Sequence, residues 1–184
     1  MNVRLLALSL AAVAAVSSTA RAQQGAEFWS TPAIKGIGPV HVWPQAVLRP
    51  DARTTYKAVF DVTKAGPAAD KMNPSLDHIA RTVNVFAAAG VPLDHLKFTV
   101  IIHGPATSSA LNDKEFEAKF GHANPDAAVI EALTKAGVQV LVCGNALGDF
   151  KYDPSMVNPH IKVALSAMST LIILQDEGYA VMYM

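Results

Sequence analysis

FTVIIHG, residues 98–104, is the stretch of the sequence that decides the fold. Its side chains are nearly all apolar and largely β-branched, without the alternation of a strand that faces water on one side. Strands buried on both faces of a parallel sheet have this composition. A second run of the same kind, VQVLVCG at residues 138–144, contains Cys143, the only cysteine of the chain. The two runs predict strands that are buried on both faces of a parallel sheet.

Shorter apolar runs on either side predict three more strands. These are YKAVFDVT at 56–63, IKVALS at 161–166 and YAVMYM at 179–184. Because they lie far apart in the sequence, each strand must be joined to the next by a crossover, as parallel strands are. The run at 179–184 closes the chain, so it predicts a strand at the very C-terminus.

The segments between the strands carry helical signals. Asparagine followed by proline, at 73–74 and at 124–125, combines a capping residue with the residue favoured at the first helical position. Gly90 and Gly137 predict the ends of the two helices, and Ser166 is predicted to cap a last helix. Strands that alternate with helices in this way predict an α/β fold, with a parallel sheet covered by helices on both faces.

The N-terminus carries the pattern of a cleavable signal peptide. A short positive start at Arg4 is followed by an apolar run, Leu5 to Val16, and by Ala20-Arg21-Ala22, a small-x-small cleavage site. Residues 1–22 are therefore predicted to be a signal peptide, which places the mature protein in the periplasm or outside the cell. No membrane partner is expected once this segment has been removed.

Residues 23–55 differ from the rest of the chain. They are rich in proline and glycine, contain Trp29 and Trp43, and show neither helical periodicity nor strand alternation. We interpret them as an extended N-terminal arm, because a solvated tail would not carry so much aromatic and aliphatic surface. The arm is expected to lie on its own subunit or a neighbour and to contribute to a homo-oligomer.

The charge of the chain argues against nucleic acid as a partner. Arg4 and Arg21 leave with the first 22 residues, so 13 basic and 15 acidic residues remain, a net charge of −2 with neutral histidines. The sequence contains no basic patch interleaved with aromatic residues, so nucleic acid is not an expected partner. The lone cysteine also excludes a disulfide scaffold.

Several polar and small residues follow the predicted strands. In a parallel sheet, ligands and chemistry collect beyond the carboxyl ends of the strands. The candidates there are a nucleophile with its partner, Cys143 and His103, and cleft residues that could hold a ligand, namely Asp61, Gly104, Gly144, Asn145 and Ser166. We expect these side chains to share one edge of the sheet, with His103 close to Cys143 if their two strands are neighbours.

Cys143 has more than one possible role. Gly144 allows a sharp turn with free backbone N–H groups, and such donors, or the start of a helix, favour a thiolate over a thiol. Cysteine is, however, also one of the residue types most often buried in the core. A single thiol in an exported chain is buried, paired with another chain, or reactive.

The sequence shows no sign of a metal or a cofactor. The other histidines are scattered, and none has the spacing of a metal ligand with a carboxylate or a second cysteine. The loop TKAGPAADKMNPS lacks the Gly-Lys-Ser/Thr of a phosphate-binding P-loop. No metal and no cofactor are therefore expected.

Taken together, these motifs resemble the DsrE/DsrF-like (YchN-like) family. The segments that carry the resemblance are NPSLDHIARTVNVFAAAG, VIIHGPAT, NPDAAVIEALTKAGVQVLVCGNAL, and VALSAM followed by LQDEGYA. They cover roughly residues 55–184. The resemblance implies a three-layer α/β/α domain over residues 56–184, with a five-stranded, mostly parallel sheet. It also implies a small homo-oligomer, a trimer or a hexamer.

Two functions follow from the resemblance. Members of the sulfur-oxidation branch carry sulfur as a persulfide on a cysteine, and Cys143 stands where that cysteine falls. The chain is thus expected to be a sulfur carrier or sulfurtransferase-type relay that meets a donor or acceptor protein. The alternative is a non-catalytic, oligomeric binding module with Cys143 as packing and a small ligand in the strand-end cleft. The sequence leaves open whether the protein is an enzyme.

Overall fold

The structure is a computed structural model that describes residues 28–184. Strands and helices alternate along this part of the chain. The strands are β1 Tyr56–Val62, β2 Leu96–Ile102, β3 Gln139–Cys143, β4 Lys162–Ala164 and β5 Ala180–Tyr183. The helices are α1 Pro74–Ala88, α2 Asp113–Phe120, α3 Ala127–Lys135, α4 Gly144–Phe150 and α5 Ala167–Asp176. The predicted signal peptide, residues 1–22, and the first residues of the arm lie outside the described residues.

The five strands form one sheet in the order β4-β3-β2-β1-β5. All four pairings are parallel, and β1 and β2 are paired over their whole lengths. β2, which is as long as β1 and has six of its seven residues buried, lies in the middle of the sheet. Its burial agrees with the apolar composition of residues 98–104. The prediction of an α/β fold with a parallel five-stranded sheet is confirmed.

Helices cover both faces of the sheet, but unequally. On one face, α1 and α3 pack with the inward side chains of the central strands into the main core. On the other face, α5 covers a smaller apolar cluster that contains Val59, Ile101 and Cys143. The fold is therefore a three-layer α/β/α arrangement with one thick layer and one thin layer.

The capping signals set one helix start correctly and misplace another. α1 begins as predicted, because the side chain of Asn73 accepts the backbone N–H of Ser75 and Pro74 follows it. The start of α3, predicted at 124–125, is wrong by two residues, since the helix begins at Ala127 with Asp126 at its N-cap position. Asn124 instead caps a preceding turn, where its Oδ1 accepts the N–H of Asp126.

The described part of the arm is anchored on α1. Asn84, a buried residue of α1, accepts the N–H groups of Ala33 and Ile34 at 2.9 and 2.8 Å. Its amide group donates to the carbonyl oxygens of Ile34, Ile37 and Gly38. Ile34 is consequently buried on its own subunit. Trp29 and Trp43 stay about half exposed, at 54% and 56%.

Two features at the carboxyl edge of the sheet were not predicted. A 3-10 segment, Gly104–Ala110, follows β2, and the short helix α4 follows β3 without an intervening loop. Neither has a long periodic pattern, so neither is visible in the sequence. In the described part of the chain, no helix has the length and apolarity needed to cross a membrane.

Candidate functional site

Three side chains that could take part in a reaction lie at the carboxyl ends of neighbouring strands. Asp61 is the second-to-last residue of β1, His103 follows β2, and Cys143 ends β3. Side chains two residues apart on a strand point to the same face, so Asp61 and His103 share the face of Val59 and Ile101. Cys143 packs in the same cluster as those two residues. All three candidates therefore lie on the α5 side of the sheet.

Asp61 and His103 form a short hydrogen-bonded pair. The Nε2 atom of His103 lies 2.6 Å from Oδ1 of Asp61, and the two side chains are 28% and 10% exposed. When Nε2 donates its proton to the carboxylate, a neutral imidazole presents Nδ1 as an acceptor. Asp61 thus fixes the orientation and the tautomer of His103, which gives it a positioning role that the sequence alone did not assign.

The sulfur of Cys143 accepts two backbone N–H groups. The donors are Ala167, 3.2 Å away at the first position of α5, and Ala146, 3.4 Å away in the first turn of α4. The N-termini of helices carry free N–H groups and a partial positive charge. Two backbone donors directed at one sulfur are an arrangement that a thiol nucleophile or a sulfur acceptor can use.

The cysteine is close to the surface but not openly exposed. Cys143 retains 6% of its accessible surface and packs against Ala146 and Ala167. The register of β2 and β3 pairs Ile102 with Val142. One step further along, His103 is level with Cys143 on strands about 5 Å apart. The sequence left open whether the two strands are neighbours, and the structure shows that they are. The thiol is more buried than an open cleft would make it.

Two of the predicted cleft residues have structural roles. A Cβ atom at Gly144 would lie 3.0 Å from the carbonyl oxygen of Ala164 and 3.3 Å from that of Leu165. Glycine is therefore required there by close packing of the backbone. Ser166 is the N-cap of α5, as predicted, and its hydroxyl accepts the N–H of Ser169 at 3.0 Å. This cap also orients the N–H of Ala167 toward Cys143.

The remaining cleft candidates lie at the edge of the site. Asn145 is exposed in the first turn of α4. Gly104 begins the 3-10 segment with a φ of +54°, a conformation that favours glycine. Its carbonyl oxygen accepts the hydroxyl of Thr107 at 2.6 Å. The structure therefore brings Asp61 and His103 together and leaves Gly104 and Asn145 as surrounding backbone.

The site offers no evident metal centre. Within residues 28–184, no three His, Cys, Asp or Glu side chains are grouped closely enough to hold a metal ion. The chemistry that the described residues can perform is that of a hydrogen-bonded sulfur with an oriented imidazole at the same edge of the sheet.

Sequence reasoning missed the N–H group of Ala167 as part of the site. The one available signal was Ser166, since a predicted N-cap marks a helix start with free N–H groups. Nothing in the sequence places that helix start beside β3, however. The position follows from β4 pairing with β3, which brings the segment after Ala164 next to Cys143.

Comparison with known proteins gives the class to which this architecture belongs. The sequence model of the DsrE/DsrF-like family matches residues 57–184, from the start of β1 to the end of the chain. The protein therefore belongs to the DsrE/DsrF-like family, and the resemblance seen in the sequence is confirmed. No curated protein is similar enough in sequence to count as a relative.

Solved structures support the same fold. The chain is similar to MTH1491, a protein of unknown function from Methanobacterium thermoautotrophicum, at 19% identity and a TM-score of 0.52. It is also similar to the YchN protein of E. coli, at 15% identity and a TM-score of 0.52. Each alignment covers 70% of this chain and 99% of the other. At such identities the likeness establishes the fold and nothing more specific.

Proposed function

We propose that this protein is a sulfur carrier that holds sulfur transiently as a persulfide on Cys143. Members of its family are linked to sulfur relay. The observation that carries the proposal is the pair of backbone N–H groups, from Ala146 and Ala167, directed at the sulfur of Cys143. They favour the thiolate that sulfur transfer needs.

The transfer requires one cysteine and no external oxidant. The Cys143 thiolate attacks the outer sulfur of a donor persulfide, R–S–SH, and forms a new S–S bond. The donor's own S–S bond breaks, and the donor leaves as the thiolate R–S⁻. The proton stays on the transferred sulfur, and Cys143 becomes Cys–S–SH. The reverse reaction with an acceptor thiolate discharges the carrier.

His103 is placed to assist this exchange. With Nε2 donating to Asp61, its other ring nitrogen can accept a proton from the thiol or return one to a departing group. It lies level with Cys143 on the neighbouring strand. In this proposal Cys143 is the catalytic residue, His103 is a proton-transfer residue, and Asp61 is a positioning residue.

Sulfur loading tests the proposal directly. The protein is incubated with inorganic polysulfide, and its intact mass is measured with and without a reductant. We expect added sulfur that the reductant removes, and no addition to Cys143→Ser, which has no thiol. Wild-type protein that gains no sulfur, under conditions in which glutathione in a separate, protein-free incubation does, would contradict the proposal.

A second candidate function is a non-catalytic, oligomeric binding module. The low exposure of Cys143, 6%, and its packing in an apolar cluster favour this alternative. The two functions differ in the behaviour of the native thiol. A carrier reacts with iodoacetamide while folded, whereas a packing cysteine reacts only after unfolding in urea.

We propose that the carrier acts outside the cytosol, as the signal-peptide pattern at residues 1–22 indicates. Its donor and acceptor would then be extracytoplasmic persulfide or thiol compounds and proteins. Intact mass of the protein from the periplasmic or secreted fraction should correspond to a chain that begins at Gln23. Full-length protein confined to the cytosol would contradict this placement.

We further propose that the working form is a homo-oligomer, a trimer or a hexamer. The support is a row of exposed apolar side chains on and beside α5, here called the α5 face. It comprises Leu165, Met168, Ile172 and Ile173, which are between 56% and 85% exposed. Monomeric proteins rarely leave such a contiguous apolar patch uncovered.

A further inference from the structure

A loop of the arm presents two aliphatic side chains almost entirely to solvent. Val47 is 99% exposed and Leu48 is 91% exposed. They are consecutive, so together they form an apolar tip rather than two isolated surface residues. Exposing both costs free energy in water and requires an explanation.

The loop is held in a defined turn. The N–H of Ala46 donates to the carbonyl oxygen of Trp43 at 3.1 Å. The guanidinium of Arg49 donates to the carbonyl oxygen of Pro44 at 3.0 Å and so closes the loop from its other end. Prolines precede and follow this segment in the sequence. The turn therefore holds Val47 and Leu48 outward, away from the core.

Aromatic side chains surround the base of the loop. Trp43 and Trp29 are about half exposed and both make edge-on contacts with the ring of His41. An apolar groove of about 150 Å³ continues from Trp43 and Leu48 to Val85 of α1. Apolar surface thus extends from Val47 and Leu48 to the half-exposed rings of Trp29 and Trp43. Tryptophan is enriched where proteins meet the membrane–water interface.

The described part of the arm is basic. It contains Lys35, Arg49 and Arg53 and one acidic residue, Asp51, which pairs with Arg53 at 3.0 Å, whereas the chain as a whole has equal numbers of basic and acidic residues. Arg49 stands next to the aliphatic tip. A basic residue beside inserted apolar side chains interacts favourably with anionic lipid head groups.

We propose that the loop of residues 43–49 is a peripheral membrane anchor that inserts Val47 and Leu48 into an anionic lipid surface. Trp43 and Trp29 would lie at the depth of the head groups, and Arg49 would contact lipid phosphate. The protein would then lie on the membrane without spanning it. This replaces the expectation that the chain has no membrane partner, and it is independent of the chemistry of Cys143.

A second copy of the chain is the other occupant to consider for this surface. The α5 face contains no charged side chain, which suits contact between copies. The loop instead combines two exposed aliphatic side chains with partly exposed tryptophans and the neighbouring cation of Arg49. This composition favours an anionic lipid surface.

Tryptophan fluorescence tests the anchor, because the sequence contains only Trp29 and Trp43. The protein is titrated with vesicles of phosphatidylcholine alone and of phosphatidylcholine mixed with phosphatidylglycerol. We expect a blue shift of the emission with the anionic vesicles, quenching by brominated lipid, and partial weakening at high salt. Fluorescence is preferred to sedimentation, since any retained apolar N-terminus would itself bind lipid.

The double variant Val47→Ser/Leu48→Ser should lower the vesicle partition coefficient by at least roughly tenfold, because two buried side chains are lost. The control, Phe150→Ser, removes an exposed apolar side chain of α4 that belongs neither to the loop nor to the α5 face, and it should leave partitioning unchanged. Absence of a blue shift, equal partitioning of both variants, or a smaller oligomer for Val47→Ser/Leu48→Ser in light scattering would overturn the proposal. Bromolipid quenching of the wild type tests insertion without any variant.

Discussion

The sulfur of Cys143 lies where two helices begin. Its hydrogen-bond donors are main-chain N–H groups of Ala146 and Ala167, so no charged side chain is needed beside it. Backbone donors are already held in place by the helices to which they belong, so directing them at the sulfur costs little additional conformational entropy. A reactive sulfur can therefore be maintained in a largely apolar pocket, where a lysine or arginine would be expensive to bury.

Replacing His103 tests whether this residue speeds the transfer of sulfur to Cys143 without itself storing the sulfur. His103→Ala should load sulfur from polysulfide roughly tenfold more slowly, but to the same final extent, because Cys143 remains. Asp61→Asn should have a smaller effect, since the amide oxygen still accepts from Nε2 without the negative charge. Intact mass against time gives the rates.

The control for this comparison is His78→Ala, which removes an exposed histidine from α1, a helix on the opposite face of the sheet. It should load at the wild-type rate. If His103→Ala also loads at the wild-type rate, His103 has no part in the transfer and the Asp61–His103 pair is purely structural.

Gly144 provides a stability test of the packing beside Cys143. Gly144→Ala would force a Cβ atom to within 3.0 Å of the Ala164 carbonyl oxygen, a backbone atom that cannot swing away. Overpacking of this kind should lower the free energy of unfolding by about 1–3 kcal/mol. Urea unfolding of both proteins at one pH measures the difference.

Gly148, in the same helix, is the matched control. A Cβ atom there would meet nothing within 4 Å. Gly148→Ala should raise the free energy of unfolding by about 0.5–1 kcal/mol, since alanine is the better helix former. Equal effects of the two substitutions would show that the close approach at Gly144 is tolerated.

At the scale of elements, the starts of α1 and α3 are tied together by one buried carboxylate. Asp126, at the N-cap position of α3, accepts the backbone N–H of Asn73 at 2.7 Å. Asp126 is only 3% exposed. Burial raises the pKa of Asp126, although its hydrogen bonds from Asn73 and Ser109 act in the opposite direction. The junction is thus held by the hydrogen bonds of a buried carboxyl group whose charged form is disfavoured by desolvation.

The raised pKa of Asp126 predicts how stability changes with pH. The folded state favours the protonated acid. Asp126 therefore contributes most to the free energy of unfolding below its unfolded pKa of about 3.9, and that contribution is lost as pH rises through its folded pKa. Asp126→Asn keeps an acceptor oxygen without the charge. It should be at least as stable as the wild type at pH 7, with the difference shrinking toward pH 4 in urea unfolding.

Asp153→Asn is the control of opposite sign. The pKa of Asp153 is lowered, chiefly by its hydrogen bond with Ser155. Asp153 therefore contributes stability above its unfolded pKa that is lost as pH falls. Its replacement should make the protein slightly less stable at pH 7, again with the difference shrinking toward acid. If Asp126→Asn were clearly less stable than the wild type at pH 7, the charged form of Asp126 would be the favoured one.

At the scale of the whole molecule, the two faces of the sheet are covered unequally. One face carries α1, α3 and the arm, whereas α5 alone covers the other. α5 presents Ala167, Leu171 and Leu174 to the sheet and leaves Met168 and Ile172, one turn apart, exposed. A second copy packed on this face would complete the thin layer.

Ile172→Lys tests this assembly. A lysine in the centre of an apolar interface would leave an unpaired charge, so the protein should dissociate to smaller species in light scattering. Ala128→Lys, on the exposed side of α3, is the control and should leave the mass unchanged. A wild-type protein that is monomeric at all concentrations would contradict the proposed oligomer.

The sequence by itself determined the strands, the class of fold and the family. The apolar runs at 98–104 and 138–144 are typical of strands buried on both faces of a parallel sheet, and Asn73-Pro74 fixes a helix start through contacts with adjacent residues. Such features are local, so their physical causes are present in the sequence. The start of α3 was misplaced because Asn124 caps a turn that also contacts the carbonyl oxygens of Ser109 and Leu111.

Only the tertiary structure decided what surrounds Cys143. The order β4-β3-β2-β1-β5 places the start of α5 beside the sulfur, although Ala167 is 24 residues away in the sequence. The same order brings Asp61 to His103 across 42 residues. Strand order depends on how whole crossovers pack against one another, and no local pattern encodes it. The residues of the candidate site could therefore be predicted from the sequence, whereas the contacts between them could not.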